Sequence, residues 1–145
     1  MRLWHIGLLP YLPDPQFKGQ LRELVAIMRD WRDKGRTNHL LINKVMEFPK
    51  THLVGYFYEY NNEYVTRYNK NLSDYSVEFL KFSNFECLCG RNIFKDWHNK
   101  EYLRVCMANL YEKHHFGVGK SRITNEEWQK LLLGYKNLTG EEYSI

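Results

Sequence analysis

The run Asp14-Pro15-Gln16-Phe17-Lys18-Gly19-Gln20-Leu21-Arg22-Glu23-Leu24, continued to Lys34, decides the fold. Its apolar residues Phe17, Leu21, Leu24, Met28 and Trp31 recur at alternating intervals of four and three, which keeps them on one stripe of a 3.6-residue helix. Asp14 suits the amino-terminal cap and Pro15 the first turn, where its missing N–H would have no helical partner. Gly35 suits the stop. Around the wheel, Gln16, Gln20 and Glu23 fall on one flank of the stripe and Lys18, Arg22 and Arg29 on the other. The pattern alone describes a helix buried along one face, with its polar flanks solvated.

Working outward, Met1-Arg2-Leu3-Trp4-His5 is an apolar and aromatic opening that needs burial, and it reads as extended chain directed toward the helices. Pro10, Pro13 and Pro15 then mark Leu9 to Asp14 as a turn. Asn38 to Glu47 reads as a short helix stopped by Phe48-Pro49, because the residue before proline avoids helical geometry. A longer helix is expected from Lys50 to Asn69, with Leu53, Phe57, Tyr60, Tyr64 and Tyr68 along one side. Ser76 to Phe82 reads as a short helix and Cys87 to Arg91 as a loop. Helical spacing returns from Asn99 to His115 through Leu103, Cys106, Met107 and Leu110. Thr124-Asn125-Glu126-Glu127 is a capping box that starts a last helix reaching about Tyr135. The expected architecture is mainly α, a compact single domain over residues 1–145 with an extended N-terminal segment inserted toward the helices.

Composition bounds the function classes. Of 145 residues, 16% are aromatic, with 11 Tyr, 8 Phe and 4 Trp, a content that argues for a packed core rather than disorder. Lys and Arg outnumber Asp and Glu 21 to 17, and the resulting net charge of +4 is compatible with nucleic acid without requiring it. Three cysteines make no even disulfide framework and suit a reducing compartment. The opening residues lack the apolar core of a signal peptide, and no run approaches the roughly 18 apolar residues of a membrane span. A soluble, cytoplasmic protein is expected, and Asn71-Leu72-Ser73 and Asn137-Leu138-Thr139 are then chance matches to the glycosylation acceptor pattern.

Other short patterns lose their chemistry on inspection. Gly117-Val118-Gly119-Lys120-Ser121 imitates the end of a phosphate-binding loop, but His114 stands where the first glycine belongs and no apolar strand precedes it. Cys87 and Cys89 are separated by one residue rather than two to four, and His98, His114 and His115 lack ligand spacing, so a zinc site has little support and no metal is assigned. Cys106 sits on the apolar face of its helix.

Arg2-Leu3, the Leu12 before Asp14, and Arg22-Glu23-Leu24 at their distance from the amino terminus together resemble the pyrimidine-dimer DNA glycosylases of the endonuclease V type. The similarity is good over about the first 25 residues and beyond them extends to helix order. The resemblance implies a small, mainly helical enzyme that needs no cofactor, with the N-terminal α-amine as nucleophile and the glutamate of the Arg-Glu-Leu helix as its acid/base partner. Carried over by position, these are Met1 and Glu23. Arg2 is too bulky for ordinary methionine excision, so Met1 itself would be the nucleophile, with a short insertion near residues 6 to 10 restoring register at Leu12.

The chemistry suits those groups. An α-amine titrates near 7.7–8.0, so an appreciable fraction is neutral and nucleophilic at physiological pH. Attack on C1′ of a damaged nucleotide displaces the base and leaves a Schiff base. Proton removal from the sugar then permits β-elimination, and Glu23 serves the proton transfers. The implied partner is double-stranded DNA carrying a damaged base or abasic site, met by a monomer. Arg2, Lys18, Arg22 and Arg29, with Lys113, Lys120 and Arg122 farther on, are candidates for phosphate contacts. Trp4 is a candidate to stack in the pocket, and His5, Gln20, Asn38 and His39 to hydrogen-bond there. Core packing is the alternative role for Trp4. Two other functions fit the same residues: a catalytically silent nucleic-acid-binding relative, and an unrelated helical interaction protein whose aromatic residues are all core.

Overall fold

A computed structural model of the chain describes residues 2–35 and 39–145. Its α-helices are α1 Asp14–Lys34, α2 Leu40–Val45, α3 Lys50–Tyr68, α4 Ser73–Phe82, α5 Lys100–His115 and α6 Asn125–Thr139, with 3₁₀ turns at Ile6–Tyr11, Gly90–Asn92 and Gly119–Ser121. No strand occurs among the described residues, and the mainly α expectation holds.

Several boundaries follow from the expected signals. Gly35 ends α1, its N–H reaching Trp31 O at 3.2 Å. Asn99 caps α5 by accepting from Tyr102 N–H at 2.9 Å, and both halves of the Thr124–Glu127 capping box are formed. Others differ. Ile6–Tyr11 is a 3₁₀ helix with Pro10 inside it rather than an open turn. Proline is tolerated because its neighbours donate the bonds, Leu8 N–H to His5 O at 2.9 Å and Leu12 N–H to Leu8 O at 3.0 Å. The expected start of the second helix at Asn38 lies outside the described residues. Helix α4 begins at Ser73, three residues early, because buried Asn61 on α3 takes the Leu72 N–H at 3.0 Å and donates to Asn71 Oδ1 at 3.1 Å. That clamp sets the chain's entry into α4 from a distance. Helix α6 continues past Tyr135 until Gly140, whose φ of 76° supplies the left-handed stop.

Packing divides the chain into two compact units, Met1–Leu3 with Gln20–Lys95, and Trp4–Gly19 with Asp96–Ile145. In the first, α3 lies against α4 through the stacked rings of Phe57 and Phe79, 4.3 Å apart, while Trp31 meets Phe82 edge-on at 5.2 Å. Tyr56, Phe57, Tyr60 and Phe79 are fully buried. Each such side chain contributes about 1.5–3 kcal/mol of hydrophobic stabilisation. Of the expected tyrosine row on α3, Tyr60 is buried while Tyr64 and Tyr68 are half-exposed. In the second unit α6 packs on α5 and on the first 3₁₀ turn. Gly134 makes that approach possible, since a Cβ there would lie 2.5 Å from the ring of Tyr11.

Candidate active site

The first unit builds a polar knot around the start of the chain. Residues 2–5 run without helix, and Leu3 is fully buried, which fixes the backbone on either side of it. The Arg2 N–H donates to Glu23 Oε2 at 2.8 Å. Gln20 lies one helical turn before Glu23 on α1, on the same face. Its Nε2 donates to Arg2 O at 2.8 Å and to Glu23 Oε2 at 3.3 Å. Its Oε1 accepts from the Tyr56 hydroxyl at 3.3 Å. Gln20 is 1% exposed and Tyr56 is fully buried, whereas Glu23 is half-buried. Buried amides need such partners, because an unmet donor or acceptor costs about 1–3 kcal/mol. Both of these bonds to Glu23 fall on the same carboxylate oxygen, Oε2.

The two flanks of α1 divide as the wheel implies. Gln16 and Gln20 are buried, and Lys18, Arg22 and Arg29 are exposed. Arg29 is already engaged: its Nε and Nη2 both reach the Glu78 carboxylate at 2.9 Å, and Arg32 Nη1 joins them at 2.9 Å. This pairing holds the Glu78 carboxyl below its usual range, through hydrogen bonds from Arg29 first. The fork occupies two of the five Arg29 N–H donors, so Glu78 competes with a phosphate for its charge. Beside it, Leu21, Arg22, Val25, Ala26, Arg29 and Tyr75 line a hollow of about 300 Å³.

The remaining candidates are dispersed. His39 is exposed at the start of α2, and Asn38 and Met1 lie outside the described residues. Trp4, in the second unit, is only 5% exposed and offers little ring surface for stacking, so its burial is that of a core residue. His5 is also buried. Its Nδ1 accepts from Gly7 N–H at 3.0 Å, and His98 Nδ1 accepts from Ile6 N–H at 2.9 Å, with the two rings stacked 5.3 Å apart. Burial drives both imidazoles toward the neutral form: His5 falls to about 4, partly offset by a hydrogen bond to the His98 backbone, and His98 falls farther, with the neighbouring His5 adding to the effect. The neutral form is also the one whose Nδ1 can accept. Lys120 and Arg122 are exposed and Lys113 half-exposed in the second unit.

Sequence reasoning missed Tyr56 and His98. Tyr56 lies within a tyrosine-rich helix and has no local mark distinguishing it from its neighbours, while His98 meets its partner 92 residues away. Among the described residues no group of three or more His, Cys, Asp or Glu could hold a metal ion. Cys87 is pushed up to about 11, by burial first and then by Cys89 beside it, which keeps it a thiol at neutral pH.

Glu23, in the Arg-Glu-Leu stretch of α1, thus accepts the Arg2 N–H near the start of the chain, and comparison with known families bears on what such a chain belongs to. The profile of the family described as Pyrimidine dimer DNA glycosylase matches residues 1–76, just over half of the chain. The chain belongs to the pyrimidine dimer DNA glycosylase family. That match extends through α1, α2 and α3 into α4, well past the 25 residues that carry the resemblance by eye. No curated protein and no solved structure matches the chain. Membership in a pyrimidine dimer DNA glycosylase family gives the chain a DNA substrate and a place in DNA repair. No helix among the described residues is long and apolar enough to cross a membrane.

Proposed function

We propose that the chain is a DNA glycosylase with abasic-site lyase activity, in which the α-amine of Met1 is the nucleophile and Glu23 the proton-transfer group. The carrying observation is the 2.8 Å hydrogen bond from the Arg2 N–H to Glu23 Oε2. The α-amine of Met1 is separated from that nitrogen by a short covalent path, so bond lengths alone keep it within about 4 Å of the Arg2 nitrogen. The bond to Arg2 thus limits how far the amine can stray from the carboxylate.

The neutral amine attacks C1′ of the damaged nucleotide, and the C1′–N bond to the base breaks with its electron pair leaving on the base, which takes up a proton. Opening of the sugar gives a Schiff base between the amine and C1′. Glu23 in its carboxylate form removes a proton from C2′, the electron pair shifts, and the 3′ phosphate leaves by β-elimination. Water then hydrolyses the Schiff base and regenerates the amine. General acid–base assistance of this kind contributes typically 10²–10⁴-fold, and flipping or unstacking the target costs a few kcal/mol, least at a damaged site. Pyrimidine dimers are the lesion class that the family favours, and exposed Arg22, on the opposite flank of α1 from Glu23, is a candidate for a phosphate contact.

The test is borohydride trapping of the untagged protein on duplex DNA containing an abasic site. A covalent adduct is expected, and it should vanish when the N-terminus is acetylated or extended. No adduct from the untagged protein, or an adduct that survives acetylation, sinks the amine mechanism.

A further inference from the structure

We infer that the loop from Phe116 to Arg122 is a second DNA contact, an apolar wedge with a basic rim that enters a groove of the duplex, an inference that rests on the DNA substrate of the proposed function. The loop is closed and fixed at its base. Ile123 N–H donates to Lys113 O at 3.3 Å, the His114 ring nitrogen Nδ1 meets Ile123 O at 3.0 Å, and the His114 ring lies nearly parallel to Trp128, 5.6 Å away. Within the loop Arg122 N–H reaches Gly119 O at 3.3 Å. From beneath, Gln16 Nε2, on a side chain 8% exposed, donates to Ser121 O at 2.9 Å. Two positions require glycine. A Cβ on Gly117 would lie 2.1 Å from Lys113 O, and Gly119 has a φ of 70°. The Gly-Val-Gly-Lys-Ser sequence, which lacks the framework of a nucleotide phosphate loop, is thereby explained as a built turn.

The turn holds its apolar side chains outward. Phe116 is 73% exposed and Val118 82%. A single exposed apolar residue needs no explanation, but these two alternate along a loop whose base is tied down. His115, Lys120 and Arg122 around them are exposed, and Lys113 stands at the base. Among the described residues no ion pair engages Lys120 or Arg122, and Glu112 is the only acidic residue between Leu110 and Thr124. A fixed apolar tip within a cationic rim matches a polyanion that offers stackable steps between its charges. Duplex DNA has that chemistry: phosphates take the cations, and apolar side chains such as Phe insert at base steps and partly unstack them. Because the loop is pre-formed, little ordering is required on binding.

The experiment measures binding of the full chain to an abasic-analogue duplex by fluorescence anisotropy over a range of salt, for wild type, Phe116→Ser/Val118→Ser and Lys120→Gln/Arg122→Gln. The apolar double variant should bind about tenfold more weakly with an unchanged salt slope, and it should melt like wild type because both side chains are exposed. The basic double variant should lower the slope of log affinity against log salt by about 2, from roughly 0.9 per phosphate contact. Undiminished affinity in Phe116→Ser/Val118→Ser overturns the wedge while leaving the proposed function intact. Failure of wild type to bind any duplex overturns both. Concentration-dependent self-association that disappears in the apolar variant, with DNA binding unaltered, would make the loop a contact between copies of the chain and likewise overturns the inference.

Discussion

Polar side chains do two kinds of work in this protein, and the regions where they do it differ. Around residues 2–7 they grip backbone: Gln20 and Glu23 hold the peptide groups of Arg2 in the first unit, and His5 and His98 hold the N–H groups of Gly7 and Ile6 in the second. At the surface between α1 and α4 they grip each other, as Arg29 and Arg32 converge on Glu78 with side chains 48%, 41% and 24% exposed. A backbone group has one position and no rotamers, so a buried partner fixes the chain in one register. An exposed fork exchanges readily with water and salt, and median gains from such pairs are small. Abundant charge contacts therefore mark α1 and α4 less strongly than the few contacts to backbone mark the N-terminal segment.

The largest effect that would sharpen this contrast is expected from Glu23→Gln. The amide retains an oxygen for the Arg2 N–H but cannot move a proton, so kcat for strand cleavage should fall by about 10²–10⁴-fold while duplex affinity changes little. Loss of affinity with cleavage chemistry intact would remove Glu23 from the proton-transfer role.

Next is acid. The folded-state pKa values of His5 and His98 lie below the ordinary 6.5, so the unfolded chain takes up protons first as pH falls. Stability conferred by the neutral pair is complete above about 6.5 and drains away as pH drops toward 4. The Asp33, Glu78 and Glu141 carboxyls, held low by Arg32, Arg29 and Lys100 hydrogen bonds respectively, act in the same direction, losing stabilisation as pH falls. Urea denaturation at pH 7 and pH 4.5 should differ by on the order of a few kcal/mol, and His98→Gln, which keeps an acceptor that does not titrate, should flatten the difference. A wild-type midpoint that ignores pH across this range would show that the pair carries none of the stability assigned to it.

A smaller loss is expected from Gln20→Ala, which removes the acceptor of the Tyr56 hydroxyl bond and the donor of the bond to the Arg2 carbonyl. It should cost about 1–3 kcal/mol in chemical denaturation and also lower kcat, because Glu23 loses a neighbour that orients it. Destabilisation without any kinetic change would make Gln20 purely structural. The smallest effect belongs to the surface fork. Arg29→Ala and Glu78→Ala, singly and together, should leave the denaturation midpoint nearly where it was; a large coupling between them would erase the distinction between the two regions.

Much of the helical frame was readable because its signals are local. The apolar stripe of α1, the Asn99 cap and the Thr124–Glu127 box each need fewer than a few turns of chain to declare themselves. The site was readable in part for the same reason, since Gln20 and Glu23 share a flank of one helix. What escaped depends on distant partners. Asn61 starts α4 early by reaching past the end of α3, Tyr56 completes the Gln20 network from a helix rich in tyrosines, and His98 meets Ile6 across most of the chain. No periodicity in sequence encodes these meetings. Arg29 is the opposite case, a residue whose position on the basic flank was right and whose commitment to Glu78, 49 residues away, no wheel could reveal.

The link between Glu23 and Arg2 is made to a peptide nitrogen, not to a guanidinium, and so position 2 can change its side chain without losing it. Nineteen of the genetically encoded residues supply the same donor; proline alone does not. For this one hydrogen bond only the ring of proline is excluded at position 2, and Arg2→Pro would unhook the carboxylate from the start of the chain while leaving the Glu23 side chain chemically unchanged.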